Sequence, residues 1–351
     1  MTSQRRAYRD EWRELSLYRP PQAPVEINLS DNTSRFGVPP SALAVLGDVT
    51  LAGITRYPDA YGAPLKDALA AYAGVKPDEI ATGCGSDDIL DSAFRAFARP
   101  GERLAHLAPT FPMAAWFARI NALEPVSSPL ASDGSFDPDA LLAGDPAIVY
   151  LCTPNNPTGA ALDPQAVERV LERARGVVLL DEAYAEFAGP GWLAQAPQRR
   201  GVLVARTMSK AFGLAGLRVG YACGAAGLVH EVELSRGPFK VSAIAERAAA
   251  AAVRNDLAWV RERAAESVAL RVRLADELRA LGLSPLPSAA NFVLVPLNGA
   301  PRIAVAMRAA GVAVRPFEAL HGIGDALRIT SAPWSELSRA LTALKEAMAC
   351  V

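Results

Sequence analysis

Short apolar runs alternate with amphipathic stretches along most of this chain. Ala147-Ile148-Val149-Tyr150-Leu151, Val177-Val178-Leu179-Leu180, Val202-Leu203-Val204-Ala205 and Val219-Gly220-Tyr221-Ala222 carry almost no polar residue, the pattern of strands covered on both faces. Helical patterns flank them at 41–46, 63–73, 87–97 and 164–175. Acidic residues in the first turn of the stretch from Asp87 to Phe97 suit a helix N-terminus. From about residue 40 to 235 this alternation predicts an α/β fold, a mostly parallel central sheet with helices on both faces. Upstream, Val25-Glu26-Ile27-Asn28-Leu29 alternates like a short strand. Downstream, a helical stretch from Ser242 to Leu281 is interrupted near Asn255-Asp256. Strand patterns at 291–295, 312–314 and 327–330, with helices at 302–310 and 333–350, predict a smaller α/β C-terminal module. The expected division is an N-terminal arm 1–35, a large domain 36–238 and a small domain 239–351.

Composition narrows the function classes. The 351 residues are 51% hydrophobic and 21% charged, with a net charge of -1, an ordinary globular balance with no sign of a polycation built to coat nucleic acid. No apolar run reaches the ~18 residues that span a bilayer. The charged start, Met1 to Arg13, lacks a signal peptide's apolar core, so the expected location is cytoplasmic. Cys84, Cys152, Cys223 and Cys350 form no CxxC pair, and His106, His230 and His321 are scattered; neither a disulfide framework nor a metal site is expected. The 36 basic residues divide into 31 Arg and only 5 Lys, which leaves few candidates for chemistry that needs an amine.

Open parallel sheets bind ligands at the carboxyl ends of their strands. The residues just beyond the apolar runs are therefore informative. Cys152-Thr153-Pro154-Asn155-Asn156-Pro157-Thr158-Gly159 comes after the first, Asp181-Glu182-Ala183-Tyr184 after the second, and Arg206-Thr207-Met208-Ser209-Lys210 after the third. Singly these are an Asn-Pro turn, an acidic helix start and a lone lysine. In this order and spacing they bring polar groups from three strands to one crevice. Gly213 to Gly220 lacks a GxGxxG pattern and is not a dinucleotide loop.

With Arg56-Tyr57-Pro58-Asp59, Gly83-Cys84-Gly85-Ser86-Asp87-Asp88, Ser209-Lys210-Ala211-Phe212-Gly213-Leu214-Ala215-Gly216-Leu217-Arg218 and Leu327-Arg328-Ile329-Thr330, the chain resembles the fold-type I pyridoxal-phosphate enzymes, class I/II aminotransferases, from about residue 25 to 345. Within them it is most similar to the histidinol-phosphate aminotransferases. The resemblance implies pyridoxal 5'-phosphate as coenzyme, held by Lys210, whose amine then moves the substrate proton. It implies Asp181 at the ring nitrogen, where a carboxylate stabilises the protonated electron sink. Asn156 and Tyr184 would donate to the ring's oxygen, and Phe111, where the family usually has Tyr, would stack on its face. Gly85, Ser86, Asp87, Thr207, Ser209 and Arg218 would hold the phosphate. Tyr57 would reach the phosphate of a partner subunit, making a homodimer with shared active sites.

On the substrate side the resemblance implies Arg328 and Arg315, with Asn32 and Tyr18 lining the pocket. The expected reaction is ping-pong transfer from an amino donor, histidinol phosphate or an aromatic or other amino acid, to a 2-oxo acid such as 2-oxoglutarate. A threonine-phosphate decarboxylase and a coenzyme-sensing regulatory domain are the alternatives. Departures from the family pattern cluster around the substrate: Ser30-Asp31-Asn32-Thr33, Phe36, and alanine at 114 and 115.

Overall fold

The apolar runs become the inner strands of a seven-stranded sheet. The computed structural model describes Trp12, residues 15–17 and residues 24–350. Tyr18, expected in the substrate pocket, lies outside them. In chain order the elements are β1 (Ile27–Asn28), α1 (Pro40–Gly47), α2 (Leu51–Thr55), α3 (Ala63–Ala73), β2 (Ile80–Cys84), α4 (Gly85–Phe97), β3 (Arg103–Ala108), α5 (Pro112–Ile120), β4 (Glu124–Pro129) and α6 (Pro138–Leu142). Then come β5 (Ile148–Cys152), α7 (Pro164–Arg173), β6 (Val177–Asp181), β7 (Val202–Thr207), β8 (Val219–Gly224), α8 (Ala226–Arg236), α9 (Ala243–Asn255) and α10 (Leu257–Ala280). The chain ends with β9 (Phe292–Pro296), α11 (Ala300–Ala309), β10 (Val312–Ala313), β11 (Arg315–Leu320), β12 (Gly324–Thr330) and α12 (Trp334–Cys350).

The large sheet has the order β2-β8-β7-β6-β5-β3-β4. Its pairings are parallel except those of β8, which runs antiparallel to both β2 and β7. That reversal matters for the site. An antiparallel strand begins where its parallel neighbours end, so the segment entering β8 is delivered to the same sheet edge as the loops leaving β2, β3, β5, β6 and β7. β5, β6 and β7 are buried almost along their whole length, which explains their uninterrupted apolar sequences.

Two larger apolar clusters sit on the two faces of the sheet, and another fills the smaller body. The smaller body carries an antiparallel β11-β12-β9 sheet. Ile27 and Leu29 pack into its core, and β1 pairs with β10, so the arm joins the C-terminal module. α9 packs its alanine-rich face in the cluster of the large sheet, together with Val260 at the start of α10, whereas Leu274 and Leu278 near the end of α10 belong to the smaller core. On this packing we propose that the two bodies divide within α10. Asp256 caps the end of α9 and precedes α10. Its carboxylate accepts from Ser41 N–H and Oγ at 2.8 and 2.9 Å, tying the break to α1. Among the described residues no helix is long and apolar enough to cross a membrane.

Candidate active site

The strand ends deliver their side chains to one place. Asp181 closes β6 and is buried. Its Oδ1 accepts from the Ala183 N–H at 3.1 Å and its Oδ2 from the Tyr150 hydroxyl at 2.7 Å. Burial raises its carboxyl to about 6, against the pull of those two donors. The next residue, Glu182, is fully buried and forked by Arg206 Nε and Nη2 at 2.9 and 2.7 Å, and the same guanidinium reaches Glu186 at 3.2 Å. This ion cluster fixes the strand end that carries Asp181; a buried charge needs such pairing.

Lys210 follows β7. Its Nζ donates to the Asp31 carbonyl at 2.9 Å and lies 5.9 Å from the centre of the Tyr184 ring. Burial, with the positive charges of Arg328 and Arg218, pulls its ammonium down to about 8. These surroundings favour the neutral, nucleophilic form of the amine. Tyr184 is buried, and burial raises its phenol above its ordinary value. Its oxygen accepts from Asn32 Nδ2 at 3.0 Å.

Between β2 and β8 the backbone forms an anion cradle. α4 opens at Gly85 directly after β2, so the N–H groups of its first turn have no preceding carbonyl within the helix. Gly85 has φ +81°, and a Cβ there would lie 2.6 Å from Arg218 Nη2. A Cβ on Gly220 would lie 2.3 Å from Ser86 N. Both positions need glycine for close approach. Arg218, at φ +53° just ahead of β8, reaches Ser209 Oγ at 3.5 Å and Asp87 Oδ2 at 3.4 Å. Thr207 Oγ1 donates to Ser209 Oγ at 3.0 Å and accepts from its N–H at 3.1 Å. Two hydroxyls, a guanidinium and a helix N-terminus thus meet.

The smaller body supplies the other side. Arg328 on β12 donates to Asn156 Oδ1 at 2.5 Å and to the Ser30 carbonyl at 2.7 Å, and lies 5.2 and 5.8 Å from the Phe292 and Phe317 rings. Arg315 is the direct cross-strand partner of Arg328 in the β11–β12 register, which puts both side chains on one sheet face. Asn32 adopts φ +58° and is tied by its N–H and Oδ1 to Thr330 Oγ1, both at 3.1 Å. Phe111 caps the start of α5. Tyr57 stands apart, exposed and in tilted ring contact with Phe239, the centroids 4.9 Å apart.

Sequence reasoning missed Tyr150, Thr330, and Asn291, whose Nδ2 donates to the Asn32 carbonyl at 3.1 Å. Tyr150 had one legible signal. It lies two residues before Cys152, which is registered against Asp181, so it shares the face of that carboxylate.

The donor set fits pyridoxal phosphate. A neutral-leaning amine, a buried carboxylate and a glycine-lined anion cradle lie along one sheet edge, as an aldehyde, a pyridine nitrogen and a phosphate on one ring require. Comparison with known proteins agrees. The family model for aminotransferase class I and II matches residues 24–344. A histidinol-phosphate aminotransferase from Caldanaerobacter subterraneus subsp. tengcongensis is 31% identical over 344 residues, covering 96% of this chain and 97% of that one. One from Paracidovorax citrulli is 37% identical over 360 residues, covering 97% of each. The crystal structure of histidinol-phosphate aminotransferase from Sinorhizobium meliloti in complex with pyridoxal-5'-phosphate superposes with a TM-score of 0.89 at 28% identity over the full length of both chains. The chain belongs to the class I and II aminotransferases and is a pyridoxal-phosphate-dependent enzyme of the histidinol-phosphate aminotransferase-like type.

Proposed function

We propose that this aminotransferase accepts its amino group from histidinol phosphate and passes it to a 2-oxo acid such as 2-oxoglutarate. The observation that carries the reading is the facing pair Arg315 and Arg328. Two guanidinium groups on one face balance the charge of a phosphate dianion, whereas a single carboxylate would balance only one of them. The names of the relatives support the same donor. Mixing the enzyme with histidinol phosphate and 2-oxoglutarate should yield glutamate. Turnover of phenylalanine with no glutamate from histidinol phosphate would overturn this in favour of an aromatic donor. Carbon dioxide release from threonine phosphate without an oxo acid would favour a decarboxylase.

In this reading the coenzyme supplies an aldehyde for amine capture and an electron-poor ring. Lys210 would hold the aldehyde, and its amine, once freed by the donor, would move the proton from the donor carbon to the carbon that carried the aldehyde. Asp181 keeps the ring nitrogen protonated. Asn156 and Tyr184 serve the ring oxygen, and Phe111 its face. Gly85, Ser86, Asp87, Thr207, Ser209 and Arg218 hold the phosphate. Arg328, Arg315 and Asn32 hold the donor.

Capture of pyridoxal phosphate by the coenzyme-free protein should quicken with pH up to about 8 and then level off, following the Lys210 amine. Below that point the rate should fall about tenfold per pH unit. An ordinary lysine would keep climbing toward about pH 10.4, so stopped-flow absorbance across pH 6–10 distinguishes the two. Gly220→Ala should weaken binding of pyridoxamine phosphate, which forms no covalent link, by one to two orders of magnitude. Its new methyl would push the α4 N-terminus away, and overpacking of this kind costs about 1–3 kcal/mol.

A homodimer completes the proposal. Tyr57 is 83% exposed, and Leu51 and Ile54 of the adjoining α2 are exposed as well, an apolar face suited to a second copy. Light scattering should give twice the 37.0 kDa chain mass.

A further inference from the structure

We infer that Tyr150 is a positioning residue for Asp181, holding the carboxylate so that its charge stays with the coenzyme nitrogen; this rests on the role proposed for Asp181. Tyr150 is fully buried in the middle of β5, in the apolar layer that also holds Leu179, Leu203 and Phe94. A phenol there has no water to satisfy it and needs a protein partner. Its hydroxyl donates to Asp181 Oδ2 at 2.7 Å. The other oxygen, Oδ1, is held by the Ala183 N–H at 3.1 Å.

Each oxygen of the carboxylate is thus fixed by one donor, one from the neighbouring strand and one from the chain just beyond β6. Together they fix the orientation of the carboxylate. They also favour its ionised form, because a hydrogen bond to an anion is stronger than one to its neutral acid. Where Asp181 and a ring nitrogen share one proton, whatever stabilises the ionised carboxylate leaves that proton on the ring. Tyr150 is suited to the task because it cannot compete for the charge: burial and the adjacent Asp181 keep its own phenol protonated. Removing its hydroxyl keeps the ring packing and deletes one of two anchors.

The test is Tyr150→Phe in the holoenzyme loaded with pyridine-15N pyridoxal phosphate, with Asp181→Ala beside it. The expected result for Tyr150→Phe is a 15N resonance displaced toward the unprotonated position. A kcat about tenfold lower should accompany it, with KM within twofold and a melting temperature lowered by only a few degrees. A wild-type resonance and kcat in Tyr150→Phe, with the resonance displaced in Asp181→Ala, would overturn the role of Tyr150 and leave that of Asp181 standing. An undisplaced resonance in Asp181→Ala would overturn the role of Asp181 itself. Should Tyr150→Phe fail to fold, 3-fluorotyrosine placed at 150 is a near-isosteric and stronger donor. It should raise the pH at which the ring resonance moves to the unprotonated position, and an unmoved midpoint would overturn the inference.

Discussion

Lys210→Ala should abolish transamination, lowering turnover by at least about 10^4-fold, and should remove the yellow absorbance of lysine-bound coenzyme. Two losses combine. The amine that captures the aldehyde is gone, and so is the group that moves the proton, which alone contributes up to about 10^4-fold. The variant should still fold. Lys210 sits half-buried with one hydrogen bond to a main-chain carbonyl, and desolvation disfavours its charge, so truncation removes a cost as well as a contact. It should also still bind the coenzyme phosphate, because the cradle at Gly85, Ser86 and Arg218 is untouched. Absorbance spectra with pyridoxal phosphate, and binding of pyridoxamine phosphate by calorimetry, separate these effects. An unchanged visible spectrum would contradict the assignment of Lys210.

The second large effect is expected at Asp181. Asp181→Ala removes the charge opposite the coenzyme nitrogen and leaves the Tyr150 hydroxyl and the Ala183 N–H without their acceptor. Loss of one partner of a buried charge pair costs about 3–5 kcal/mol, or roughly 10^2 to 10^4-fold in rate. The defect should fall on kcat, since the interaction is needed most when negative charge flows into the ring. The pH dependence of stability carries a matching sign. The folded carboxyl titrates at about 6, above its ordinary value, so the folded protein without coenzyme binds the extra proton between roughly pH 4 and 6. In that window Asp181 lowers stability as pH rises, and Asp181→Ala should remove that component of the slope in urea melts. A wild-type kcat in the variant would sink the role given to this residue.

Much of the candidate site could be read from the chain because its polar side chains stand where strands end. β5, β6 and β7 announce themselves by apolar runs, and Asn156, Asp181 and Lys210 come directly after those runs. The helix of 63–73 and the break at Asp256 were equally legible, one from its period and the other from Asn-Asp within a long helical pattern. Other elements left weaker signals. β4 reads Glu124-Pro125-Val126-Ser127-Ser128-Pro129, tolerable in a strand only because it lies at the sheet's edge. β3 carries Arg103 and His106 and hides its alternation. The pairing of Arg315 with Arg328 depends on the register of β11, which sequence spacing does not fix. The hydroxyl of Tyr150 looked like core because aromatic residues in buried strands usually are.

The helix Leu257–Ala280 has a mechanical meaning beyond its packing. At 24 residues it is a rod of about 36 Å, seated in the large body at Val260 and in the small one at Leu274 and Leu278. A strut built into both halves leaves no loose joint at the Asn255-Asp256 break. Any displacement of Arg328 relative to Lys210 would therefore have to be shared along this shaft, by bending or by sliding of its packed faces, rather than taken up at a single hinge residue.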